Sequence, residues 1–184
     1  MSNFDFVVGA WPSIADEAKL CEKSAHSDPR SSMFYARRTL EFVVKWLYDA
    51  DETLVRPYND ELSTLIHQGE FKSLVGQAVF LKMNFIRKEG NRAVHKSGTI
   101  ASVESMTVLK ELFHVLFWLG VHYSPSPSER PSASFDATLV PQAQAGENAL
   151  SLAQIQALAA ELEAADAELK KAQAANSDLE AQLA

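Results

Sequence analysis

The chain has 184 residues, 47% of them apolar and 22% charged, enough for one compact domain plus an accessory segment. No apolar run approaches the ~20 residues of a membrane-spanning helix, and the opening MSNFDFVVGAWPS lacks the basic start, apolar centre and cleavage site of a secretory signal. A single cysteine, Cys21, excludes an internal disulfide and a multi-cysteine zinc site and fits a reducing compartment, so a cytoplasmic location is expected.

The net charge of −7 is unevenly spread. Residues 1–123 carry 14 Lys and Arg against 15 Asp and Glu, a balance of −1, while residues 124–148 contribute −2 and residues 149–184 contribute −4. Acidity therefore belongs mostly to the tail, and in the front region only local charge matters.

In chain order, Pro12 stands where a first helical turn accepts proline, and Ile14, Ala18, Cys21 and Ala25 form a helical stripe behind it. Asp28-Pro29 reads as an N-cap followed by proline at the first helical position, opening a helix to about Ala50. Its apolar face is Met33, Ala36, Leu40, Val43, Val44 and Leu47. Asp60 to His67 predicts a short helix on Leu62, Leu65 and Ile66. A further helix is expected from about Phe71 to Lys88 on Leu74, Val75, Ala78, Val79, Met83 and Ile86, with Gly90-Asn91 as its stop. The last helix of the front region should start after Ser102 and run to about Tyr123 on Val103, Met106, Leu109, Leu112, Phe113, Leu116 and Phe117. No alternating pattern competes, so residues 1–123 predict an all-α bundle of four to five helices.

Residues 124–148 contain Pro125, Pro127, Pro131 and Pro141 among small polar residues, the composition of a flexible linker that buries nothing. Residues 149–184 are rich in Ala, Leu, Glu and Gln. Placing Ile155, Leu162, Leu169, Asn176 and Leu183 at heptad position a puts Leu158, Ala165, Ala172 and Leu179 at d, which predicts a coiled coil. In a parallel homodimer Glu161 would face Asp166 of the other chain, so an antiparallel or heterologous partner helix is expected instead. The end inside a heptad suggests that the helix continues in a larger protein.

The stretch KMNFIRKEGNRAVHK, residues 82–96, gathers Lys82, Arg87, Lys88, Arg92, His95 and Lys96 around one acid, Glu89. If Gly90 and Asn91 bend the chain there, backbone donors and basic side chains face one concavity able to hold a phosphate or carboxylate. The plainer alternative is a helix stop whose cations complement the dipole. Arg37 and Arg38 either join this patch across the bundle or cover the helix surface with their stems. His114 and His122, two turns apart without a carboxylate at ligand spacing, read as packing rather than as a zinc pair. Cys21, Trp46 and Trp118 read as core.

The run Ile86-Arg87-Lys88-Glu89-Gly90-Asn91-Arg92-Ala93-Val94-His95 resembles the hallmark of a helical domain of unknown function found at the amino terminus of R subunits of type I restriction enzymes. The opening SNFDF, the Asp28-Pro29 helix with Phe34-Tyr35-Ala36-Arg37-Arg38, and the Leu112-Phe113-His114 helix with Trp118 look like the same family, over residues 1–123. The domain is similar to the HEPN superfamily of helical bundles.

That resemblance implies a non-catalytic docking module of an ATP-dependent DNA translocase and endonuclease. Its partners would be DNA or another nucleic acid and the modification and specificity subunits. ATP and Mg would serve the full-length protein, because the chain has no Gly-Lys pair for a phosphate-cradling loop. Glu17-Ala18-Lys19 and Glu168-Leu169-Lys170 match a nuclease Glu-x-Lys only by chance, lying on helices. The residues expected to meet an anion are Arg87, Lys88, Asn91, Arg92, His95, Lys96, Arg37 and Arg38, with no metal and no catalytic residue. The second reading is a metal-independent HEPN ribonuclease using Arg87 and His95, although seven residues separate them where that family has four to six.

Overall fold

The computed structural model describes residues 1–95, 98–125, 134–142, 155–164 and 167. Among the described residues there is no strand. A 3-10 turn, Asp5–Val7, leads into α1 (Pro12–Ser24), α2 (Pro29–Ala50), the short α3 (Leu62–Leu65), α4 (Gly69–His95) and α5 (Ser102–Tyr123). The chain divides into two compact units, Met1–Ala149 and Leu150–Ala184. In the first, α2 is the central rod, packed against α1, α4 and α5, while α4 also packs against α5. This is the all-α bundle that the apolar spacing predicts.

Local chemistry starts α2 as expected. The Asp28 carboxylate accepts the Ser31 backbone N–H at 3.2 Å, and Pro29 occupies the first turn, where its missing donor is no loss. The stripe of Met33, Ala36, Leu40, Val43, Val44 and Leu47 is fully buried. Near its end Tyr48 stacks on Phe71, rings 5.6 Å apart and 4° from parallel, and donates its hydroxyl to the Leu65 carbonyl at 2.9 Å. Cys21 is buried on α1, and burial pushes its thiol up to about 12, so it serves as a small apolar residue.

The fourth helix departs from its expected limits at both ends. It begins at Gly69 and breaks its own geometry at Gly76, where φ is +74° and ψ is 160°. That left-handed value suits glycine and re-phases the helix beyond it. The re-phasing explains why Ala78 is exposed and Val79 only half-buried, although the spacing predicts both on the core face; Leu74, before the break, is half-buried as well. Past the break the buried stripe is Phe80, Met83, Ile86, Gly90, Ala93 and Val94. Gly90-Asn91 is therefore no stop; the helix runs through it to His95. Gly90 sits where α4 presses hardest on α2: a Cβ placed there would lie 2.5 Å from Arg37 Cβ and 3.1 Å from the Met33 carbonyl oxygen. What receives the helix end is Arg30, from the first turn of α2, whose guanidinium donates to the carbonyls of Ala93 and Gly98.

Three further differences follow from tertiary packing. Val103 is 70% exposed, since the buried face of α5 begins at Ser105. The third helix is shorter than its apolar pattern. Within the expected linker, residues 134–142 bury apolar surface: Phe135 packs against Phe113 at 5.7 Å and Val140 is buried in the core. Asn3 clasps this segment, accepting the Asp136 backbone N–H at 2.7 Å and donating to its carbonyl at 2.9 Å. In the second unit residues 155–164 are helical and carry Ile155, Leu158 and Leu162. The heptad positions Ala165, Leu169, Ala172, Asn176, Leu179 and Leu183 lie outside the described residues.

The Gly90 contact makes a direct prediction. Gly90→Ala should lower unfolding stability in urea by about 1–3 kcal/mol, because the new methyl meets backbone as well as a side-chain stem. Gly69→Ala, with nothing within 4 Å, should stay within about 0.5 kcal/mol of the parent.

Candidate functional site

The basic run folds into the second half of α4, and the continuous helix sorts its members by direction. Arg87 lies one turn before Gly90, beside the Arg37 side chain that the glycine lets α4 approach. Both Nε and Nη2 of Arg87 donate to Asn84 Oδ1, at 3.3 and 3.0 Å. Burial, with the neighbouring Arg37 charge added, lowers the Arg87 pKa from its ordinary value. Arg37 in turn has Glu41 only at 3.9 Å, and the same carboxylate is closer to Lys45, at 3.1 Å. The buried Arg37 Nε has no hydrogen-bond partner. The Arg37 and Arg87 charges thus lie near enough to interact, with Glu41 at ion-pair distance from Arg37 and Asn84 as the hydrogen-bond partner of Arg87.

The other expected contacts are distributed differently. Arg92 is neutralised: it pairs with Glu89 one turn back and with Glu104 of α5 at 2.7 Å. Its hydrogen bond to Glu89, reinforced by Glu104, outweighs burial and raises its pKa. Glu104 also accepts the Ala101 backbone N–H at 2.9 Å, so it anchors the start of α5. Arg38 turns away from α4 toward α1, with Nε 3.5 Å from Glu17 and its guanidinium carbon 5.6 Å above the Phe42 ring. Lys88 and His95 are exposed on α4 and Asn91 is half-buried. Lys96 lies outside the described residues.

Arg87 and His95 do not converge along the chain. They are eight positions apart on one continuous helix, about 12 Å along the axis and roughly 80° around it. His114 is half-exposed in a different cluster: Lys82 bridges from α4 to Glu111 of α5 and lies 3.2 Å from His114 Nδ1, which is 3.2 Å from Glu111. Burial raises the Glu111 pKa, but the hydrogen bonds from Lys82 and His114 outweigh it and leave the carboxyl below its ordinary 4.5. His122 binds the Trp118 carbonyl at 2.8 Å and stacks on its ring. Among the described residues no three His, Cys, Asp or Glu side chains group as a metal site requires.

Sequence reasoning passed over Asn84, Glu41, Glu104 and Arg30, which decide which cations remain uncompensated. The Glu89–Arg92 spacing was a legible signal. So was the position of Gly90 on the stripe of Met83, Ile86 and Ala93, which marks a helix that continues. Glu104 and Arg30 reach α4 from other elements and carry no local signal.

The fold is a helical bundle with Arg37 and Arg87 on its α2–α4 seam. Residues 19–172 match the family model described as Domain of unknown function (DUF4145), and the chain belongs to that family. The match crosses residue 123, where the resemblance was expected to end, and takes in the docked 134–142 segment. No curated protein and no solved structure matches the chain.

The Lys82–Glu111–His114 cluster gives a pH-dependent prediction. With a folded pKa below 4.5, Glu111 contributes stability that is present above that value and lost as pH falls through the folded pKa. In urea unfolding, Glu111→Gln should be less stable than the parent by about 0.5–1 kcal/mol near neutrality, and the gap should close as pH falls through the folded pKa. A gap unchanged by acid would assign the loss to packing instead.

Proposed function

We propose that this protein is a non-catalytic interaction module of a type I restriction R subunit or a close helicase relative, docking the larger assembly and contacting nucleic-acid phosphates. One observation carries the nucleic-acid part: the Arg87 and Arg37 charges interact on the α2–α4 seam, and the carboxylate at ion-pair distance from Arg37, Glu41, lies nearer to Lys45. Adjacent like charges repel, and a phosphate oxygen between them relieves that repulsion. The restriction-enzyme part rests on the resemblance of residues 86–95 and on the helical layout. In this reading ATP, Mg and the DNA-cleaving chemistry belong to other domains, and the modification and specificity subunits are the protein partners. The coiled-coil helix would join the module to the rest.

The placement of Arg87 and His95 two helical turns apart favours a binding module over a ribonuclease. A ribonuclease would need both groups at one phosphodiester.

Arg87→Ala should weaken binding to any DNA sequence alike. It should also reduce the slope of log affinity against log salt by about 0.7–0.9, the loss of one phosphate contact. Arg92→Ala should leave that slope unchanged. Equal affinity and slope for parent and Arg87→Ala across a salt titration would remove the phosphate contact. Cleavage of labelled RNA without metal, lost in His95→Ala, would replace the reading with the nuclease.

A further inference from the structure

We propose that the cleft between the start of α1 and the second half of α2 binds a carboxylate carried on a flat apolar body. The carboxylate would meet the open end of α1, and the body would lie on an aromatic wall. The site does not depend on the nucleic-acid contact.

The cleft is open and measures about 480 Å³, within the ~300–1,000 Å³ of small-ligand sites. Trp11, Phe42 and Trp46 form its wall. The Trp46 ring meets Trp11 edge to face at 5.4 Å and Tyr123 in the same manner at 5.5 Å. Those contacts fix the wall before a ligand arrives.

Pro12, Ser13 and Ile14 border the same cleft. Proline has no N–H, and the Ala15 N–H makes the first bond of the helix, to the Trp11 carbonyl at 2.9 Å. The N–H groups of Ser13 and Ile14 are left without an acceptor among the described residues, because Trp11 at the N-cap has no side-chain oxygen to offer. Ile14 is 4% exposed, a depth at which a fold normally satisfies such a donor. Trp11 is an independent sign of the same need. It is 5% exposed, lines the cleft, and its indole N–H also has no acceptor among the described residues.

Three donors without acceptors thus border one cleft, two of them at the positive end of a helix dipole. That set calls for an anion. The charged side chains at the rim already have partners: Lys45 lies 3.1 Å from Glu41, and Asp49 lies 2.8 Å from Arg56. With no further cation supplied, a singly charged carboxylate fits better than a doubly charged phosphate.

The test uses the full chain with phenylacetate and with phenylacetamide, the same skeleton without the charge. In an amide NMR titration the Ser13 and Ile14 signals and the Trp11 indole signal should shift together. The acid should bind at least about tenfold more tightly than the amide, the scale of charge-assisted over neutral hydrogen bonds. Acetate, which has no body for the wall, should bind at least about tenfold more weakly than phenylacetate. Trp11→Phe keeps a ring and drops the donor, and should weaken phenylacetate by about three- to tenfold. Trp118→Phe, outside the cleft, should leave the affinity unchanged. The peptide acetyl-Ala-Ala-Phe separates the sources of the carboxylate: binding as tight as phenylacetate assigns the site to a polypeptide carboxyl terminus, and much weaker binding to a free small acid. Equal affinity for acid and amide, shifts that spare the three signals, or parental affinity in Trp11→Phe overturns the proposal. Failure of every probe to bind does the same.

Discussion

The contact between Gly90 and the Arg37 stem is the constraint on which the bundle and its charged face both depend. A helix pair normally keeps its axes 8–10 Å apart because side chains intervene. At Gly90 nothing intervenes, and α4 meets the Cβ and Cδ of Arg37 and the Met33 carbonyl directly. The close approach lets Met83, Ile86 and Ala93 share one buried stripe with Met33, Leu40 and Val44 of α2. It also delivers Arg87 to the side of Arg37. Packing and electrostatics are thus one arrangement: the residue whose absence of side chain seats the helix also brings two like charges together.

The bundle gives several of its cations a partner from a different element. Arg30 spends its charge on the carbonyls at the end of α4, where the helix dipole is negative. Arg92 and Lys82 tie α4 to α5 through Glu104 and Glu111, at opposite ends of the same seam. Glu41, almost buried, is shared between Arg37 and Lys45 and lies nearer the lysine. A count of basic residues therefore overstates the field of this face. The informative quantity is which guanidinium has no carboxylate, and that is decided by acids many residues away.

The two ends of the first unit are closed by a polar clasp rather than by apolar packing alone. Asn3 donates its side-chain amide to the buried Glu22 carboxylate at 2.7 Å while its other contacts hold the backbone of Asp136. One amide thereby satisfies an acid that would be costly to bury unpartnered and fastens a proline-rich segment to the bundle. Phe135 and Val140 then add to the core beside Phe113. The extent of the family match through this segment accords with its being part of the domain.

Fold class, the cap at Asp28-Pro29, the core face of α2 and the span of α5 were legible in the sequence, because they depend on neighbours three and four residues apart. The limits of α4 were not. Glycine is compatible with a helix end, a kink and a close helix contact, and the chain uses Gly76 for the kink and Gly90 for the contact. The sequence by itself determined that this is an all-α chain with an acidic tail and a concentration of basic residues before residue 97. Only the tertiary structure decided which of those basic residues keep an uncompensated charge. Coulomb interactions act through space, and Glu104, Glu111 and Arg37 reach α4 only after the helices have packed.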